Sequence, residues 1–130
     1  VSTSAQDFLA DEQSVGAWFP PPYRLPYNAY SPGLAASIVA FTGNCRLYGF
    51  TVYNSKASAQ YMLVFDNSVV PGNGAVPVMP ALKVANDANV AAYFGSVGRW
   101  FDRGIVIVNS STAASLTIGS ADCWFDVQYV

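Results

Sequence analysis

The clearest hydrophobic pattern in the chain lies between Gly104 and Val130. Ile105 to Val108 is an unbroken run of β-branched residues, as a strand covered on both faces requires. Leu116 and Ile118 then share one side of a short segment, with Thr117 opposite. From Cys123 onward the alternation is strict: Cys123, Phe125, Val127 and Tyr129 on one face, Trp124, Asp126, Gln128 and Val130 on the other. The pattern predicts three consecutive strands.

The same period of two runs back to residue 34. Ser37 to Thr42 is predicted as a strand closed by Gly43-Asn44. Arg46 to Asn54 follows, with Tyr48, Phe50 and Val52 on one face. Ser55 to Ser58 turns the chain, and Gln60 to Asp66 returns with Tyr61, Leu63 and Phe65 aligned, so the two segments read as a hairpin. Pro71 to Gly74 is a turn cluster. Val76 to Val84 contains Pro77 and Pro80 and fits only an edge or bulged strand. Val90 to Phe94 is a further strand, joined through Gly95 to Gly98 and the loop Arg99 to Arg103 to the C-terminal stretch. The count is about eight strands at intervals near ten residues, the spacing of a sandwich and the strand number of a jelly roll. The expected fold is all-β: a single jelly-roll-like β-sandwich over 34–130, with its strand order left open by the sequence.

Residues 1–33 break the pattern. Ser4 to Gln13 can form a short capped helix. Five prolines between Pro20 and Pro32 then exclude helix and central strand, and predict an extended arm that is partly polyproline II. Trp18, Phe19, Tyr23, Tyr27 and Tyr30 give this arm an aromatic content that disordered linkers lack. Two placements fit: along a neighbouring subunit, with Arg24 beside the aromatics as a further contact, or folded back over the sheet of its own domain.

Composition sharpens the choice of function class. Of 130 residues, 52% are hydrophobic and 11% charged, against about a quarter charged in average soluble domains. So small a domain has much surface to cover, and the shortage of charge points to cover by other copies or another protein. Net charge is −2 with no Lys/Arg cluster, which argues against a nucleic-acid partner. No apolar run approaches the length of a membrane span, and no signal peptide is visible.

Candidate chemistry is sparse. Histidine is absent, which removes the commonest general base, the Ser-His and Cys-His pairs, and histidine metal sites. Cys45 and Cys123 form no C-x-x-C spacing; two buried thiols and a disulfide both remain open. Asp102, Asp122 and Asp126 could be imagined as a glycosidase pair, but Asp122 fits a turn and Asp126 a polar strand face. The glycines of Pro71 to Gly74 precede no phosphate-binding helix. Asn86 to Asn89 lacks the closing Gly and Glu of a calcium loop, and Asn109-Ser-Ser111 is read as a chance glycosylation match. No cofactor is expected. The densest charged and aromatic cluster is Arg99-Trp100-Phe101-Asp102-Arg103. It is either an interface and sugar-stacking element, with Arg99, Trp100 and Arg103 as contacts, or a loop whose aromatics plug the end of the sandwich.

Five segments carry a resemblance: Leu47-Tyr-Gly-Phe-Thr-Val-Tyr-Asn54, Ala59-Gln-Tyr-Met-Leu-Val-Phe-Asp66, Val76-Pro-Val78, Gly104-Ile-Val-Ile-Val-Asn-Ser-Ser-Thr112 and Asp126-Val-Gln-Tyr-Val130. With them, Gly43 to Val130 resembles small β-sandwich virion proteins of tailed bacteriophages. The resemblance implies a non-enzymatic virion protein, first of all a capsid decoration (cement) protein. Such a protein would form a homo-oligomer such as a trimer. It would bind the major capsid protein or another virion protein, and be assembled into the particle in the host cytoplasm. A tail, baseplate or fibre module and a carbohydrate-binding adhesin are the alternatives.

Overall fold

Period-two alternation becomes nine strands in the computed structural model, which describes residues 26–130. The predicted helix of Ser4 to Gln13 and the arm residues Trp18, Phe19, Tyr23 and Arg24 lie outside the described residues. In chain order the strands are β1 (Tyr27–Tyr30), β2 (Ser37–Thr42), β3 (Cys45–Asn54), β4 (Gln60–Asp66) and β5 (Leu82–Val84). They continue with β6 (Ala88–Tyr93), β7 (Arg99–Phe101), β8 (Gly104–Ser110) and β9 (Cys123–Tyr129). One sheet has the order β1-β9-β3-β6, with β7 also on β3; the other has the order β2-β8-β4-β5.

With the short β7 set aside, the antiparallel pairs β1·β9, β2·β8, β3·β6 and β4·β5 nest inside one another along the chain. The chain behaves as one long ribbon, wrapped so that β9 meets β3 and β8 meets β4. This is jelly-roll connectivity, two sheets closed over one core. Phe50, Val52, Met62, Val64, Ile105, Ile107, Phe125 and Val127 fill the space between them.

The predicted hairpin of residues 46–54 and 60–66 does not form. β3 and β4 lie in different sheets, and residues 55–59 carry the chain from one to the other. Alternating strands around a turn report a reversal of direction; they do not say whether the second strand lies beside the first or across the core from it. The side chain of Asn54 holds this crossing, accepting from Lys56 N at 3.0 Å and donating to Ser58 O at 3.0 Å and Ala85 O at 3.1 Å. A second correction concerns β3. Its register against β9 slips between Leu47 and Gly49, so Cys45 and Leu47 face the core before the bulge and Phe50 and Val52 after it. Tyr48 therefore does not share the face of Phe50 and Val52. Gly49 sits at the bulge, where an added Cβ would come 2.5 Å from Ala92 O.

β8 is buried along its whole length, as its β-branched run predicts. Ile105 and Ile107 enter the main core. Val106 and Val108 face the other way and join Leu63, Phe65 and Leu116 in a second apolar cluster. The chain itself covers this cluster. Val78 N donates to Val64 O at 2.9 Å, Gly74 N to Leu116 O at 2.8 Å, and Leu116 N to Ala75 O at 2.8 Å. The strand predicted around Leu116 to Ile118 is thus a loop with a single bridge between Ser110 and Ile118. Leu116 is apolar because it plugs the cover, not because a strand alternates there.

The first sheet begins at Tyr27, inside the Pro/aromatic segment. Pro26 and Pro32 flank β1 without interrupting it, and β1 occupies an edge where one row of backbone groups needs no partner. Of the strand predicted over Val76 to Val84 only the edge strand β5 forms, beyond Pro77 and Pro80. Both cysteines are free and buried. Cys45 opens β3 and Cys123 pairs with Asn54 at its far end, so they lie roughly 30 Å apart at the usual strand rise. That is far beyond disulfide reach.

Candidate functional site

On β9 the residues that alternate with the core face are Trp124, Asp126 and Gln128. Strand pairing carries that outward face across the sheet. Tyr30 stands opposite Asp126, Asp126 opposite Thr51, and Thr51 opposite Ala91. Trp124 stands opposite Tyr53, their rings 6.2 Å apart and tilted by 40°. Tyr93 on β6 and the Arg46/Trp100 pair of β3 and β7 continue the face. Tyr30, Tyr93, Trp100 and Trp124 are all at least half exposed.

Beside Trp124 the face is indented into a groove of about 390 Å³, lined by Tyr30, Tyr53, Trp124, Thr51, Asn28 and Asp126 together with Ser31 and Pro32. Its polar groups are held in place. Asn28 Nδ2 donates to Asp126 Oδ1 at 2.8 Å. The Tyr53 hydroxyl donates to the Asp87 carboxylate, a bond that pushes the tyrosine pKa up, with burial and the Asp87 charge adding to it. Ser31 extends the β1 pairing, its N–H donating to Phe125 O and its hydroxyl accepting from Phe125 N, both at 3.0 Å. The groove thus offers three rings and a carboxylate fixed by backbone pairing.

Around Trp100 the geometry is tighter. Trp100 Nε1 donates to Asp102 Oδ1 at 2.6 Å, and the Arg46 guanidinium sits 5.9 Å from the Trp100 ring centre. Arg99 donates to Val78 O at 2.9 Å. Arg103 and Asp102 give their backbone N–H groups to Asp66, at 2.8 and 3.1 Å. Phe101 is the buried member of the cluster and fills the end of the core. Trp100 points out. The loop predicted over Arg99 to Arg103 is instead strand β7 and the turn after it, because Arg99 to Phe101 pair with β3, and it divides into a core plug and an exposed ring.

The structure does not bring the three aspartates together. Asp102 follows β7 at the Cys45 end of β3, whereas Asp122 precedes β9 at the Asn54 end. Asp126 lies four residues beyond Asp122, roughly 13 Å along a strand. None of these separations matches the about 5–10 Å of a glycosidase pair. Neither thiol is poised as a nucleophile. Burial pushes Cys45 and Cys123 up to about 11, with Asp66 and Asp122 respectively adding to the effect. The buried amides form an internal tie: Asn109 Nδ2 donates to Gln60 Oε1 at 2.8 Å, and Gln60 Nε2 to Asn54 Oδ1 at 2.9 Å. These groups do not titrate and join the two sheets through the core.

Of the residues singled out from sequence, Tyr30 lies on the groove, and Tyr27 packs toward Tyr129 with ring centres 5.8 Å apart. Trp100 shares the groove's sheet face. Trp124 and Tyr53 were not singled out. The available signal was a tryptophan on the polar side of a strictly alternating strand.

No family model and no curated protein matches the chain. Among solved structures, the coat protein of Tobacco streak virus is similar over 86% of this chain and 90% of that chain, with 14% identity and a TM-score of 0.40. A likeness that loose assigns no role, and no comparison points to the tailed phages expected from the sequence.

Proposed function

We propose that this chain is a non-enzymatic structural protein of a virion that works by self-association, and more specifically a capsid decoration protein of a tailed phage. One observation carries the proposal. The outer face of one sheet exposes Trp124 by 50%, Trp100 by 53%, Tyr30 by 70% and Tyr93 by 78%, in a chain with 11% charged residues. Large rings on a charge-poor surface are the anchors of protein interfaces. The phage assignment rests on the sequence resemblance.

In this reading the work is mechanical. Copies join through their aromatic faces and arms, seat where capsid subunits meet, and hold neighbouring subunits together against the pressure of packaged DNA. The partners are further copies of the chain and the major capsid protein, and the place of action is the particle.

Immunogold labelling of particles, followed by a particle reconstruction, tests this. Label spread over the head supports decoration. Label at the tail or baseplate moves the protein to a tail module, and no label removes it from the virion. The groove favours one second reading, because rings beside Asn28 and Asp126 suit a sugar. A glycan array with the purified protein separates an adhesin from an assembly protein.

A further inference from the structure

We infer that the groove beside Trp124 is the receptor for the Pro/aromatic segment Trp18 to Arg24 of a second copy of this chain. This rests on the self-associating reading above and names the contact that would carry it. Grooves lined by aromatic rings recognise polyproline II segments, because a preformed left-handed helix docks with little loss of entropy. The groove supplies Tyr30, Tyr53 and Trp124 from three adjacent strands. The chain supplies Pro20-Pro21-Pro22, flanked by Trp18, Phe19 and Tyr23.

Charge agrees with this pairing. Asp126 lines the groove and uses Oδ1 to hold Asn28, which leaves its second oxygen to accept from a cation. Arg24 is the first basic residue of the chain and follows Pro22 by two positions. A docked polyproline segment would bring its guanidinium to the edge of the groove.

Geometry selects a second copy over the chain's own arm. The groove runs along β1 from Asn28 to Pro32, and its Tyr30 position lies four residue steps or roughly 13 Å from Pro26. Pro22 to Pro26 is also four steps, about 12 Å in polyproline II. An arm turning back to put Pro22 beside Tyr30 and Trp124 of its own groove would have no residue left for the reversal. An arm entering from a neighbour meets no such limit. Each copy then gives one arm and accepts one, so the exchange closes as a reciprocal dimer or a ring.

The test uses the full chain. A photo-crosslinking phenylalanine analogue replaces Phe19, and ordinary and 15N-labelled copies are mixed before irradiation. The expected products join the arm of one isotope to groove peptides around Tyr30, Tyr53 or Trp124 of the other. Trp124→Ala should weaken self-association in analytical ultracentrifugation by about tenfold or more. Arg24→Asp and Asp126→Arg should each weaken it a few-fold, with recovery in the double variant. Crosslinks confined to one isotope, or landing away from the groove, overturn the inference. So does glycan binding that Trp124→Ala abolishes while self-association is unchanged, which would give the groove to carbohydrate. If self-association and particle binding persist without groove crosslinks, this inference alone fails. A chain monomeric at every concentration and silent on particles ends the broader proposal as well.

Discussion

The two outer faces of this sandwich both carry large apolar side chains and end in opposite states. Over β8 and β4, Val106, Val108, Leu63 and Phe65 are covered by the chain's own loops and by Leu116. Over β9, β3 and β1, the rings of Trp124, Tyr53 and Tyr30 line the outer face, and among the described residues no loop crosses them. The side chains of Val106, Val108, Leu63 and Phe65 have no polar atoms and are buried within the monomer. The aromatic face carries hydroxyl and indole N–H groups that can hydrogen-bond to water. Stability should therefore concentrate on the first face and association on the second.

The largest expected effect is at the root of the covered side. Gly104 has φ +150°, and an added Cβ would clash with Phe41 O and lie 2.7 Å from Asn67 O. Gly104→Ala should cost more than about 3 kcal/mol in chemical denaturation, because both obstacles are backbone. A near-neutral result would mean that β2 and the loop after β4 can yield. Next comes Leu116→Ala, which should cost about 2–4 kcal/mol and raise hydrogen exchange in residues 72–78. Trp124→Ala, on the open side, should cost less than about 1 kcal/mol of monomer stability while weakening association. Equal losses from Leu116→Ala and Trp124→Ala in denaturation would break the contrast between the faces.

The smallest effect tests the link between the sheets. Asp66 on β4 receives backbone N–H bonds from Arg103, Asp102 and Gly104, in the turn that joins β7 to β8. Burial raises its pKa, but those bonds and the Arg103 charge outweigh it and leave the carboxyl below its ordinary 3.8. A depressed folded pKa means stability that is present above the ordinary value and lost as pH falls through the folded one. Asp66→Asn should therefore lower the denaturation midpoint slightly at pH 7. The gap from the parent should close as both are titrated below about pH 4. A gap that widens on acidification would reverse the assignment.

Sequence pattern was sufficient where one physical cause acts alone. The alternation of Cys123, Phe125 and Val127 marks the inner face of β9, and the run Ile105 to Val108 marks a strand with both faces buried. It misled where two causes give one pattern. Leu116 reads as a strand residue because it is apolar among polar neighbours, and plugging a loop asks for the same residue. Tyr48 was placed with Phe50 because a bulge leaves no mark on strict counting. Proline density hid β1, because Pro26 and Pro32 exclude a central strand yet permit an edge.

The sequence alone determined an all-β body, with most strands near their observed positions, a proline-rich aromatic entry and no histidine chemistry. Side-chain period and backbone restriction are local properties, so the local sequence specifies them. The tertiary structure decided which strands pair. It sent β4 across the core from β3, brought β1 beside β9 near the other end of the chain, and, among the described residues, covered one outer face while leaving the other open. Those outcomes depend on which distant surfaces meet, and no window of sequence contains both partners.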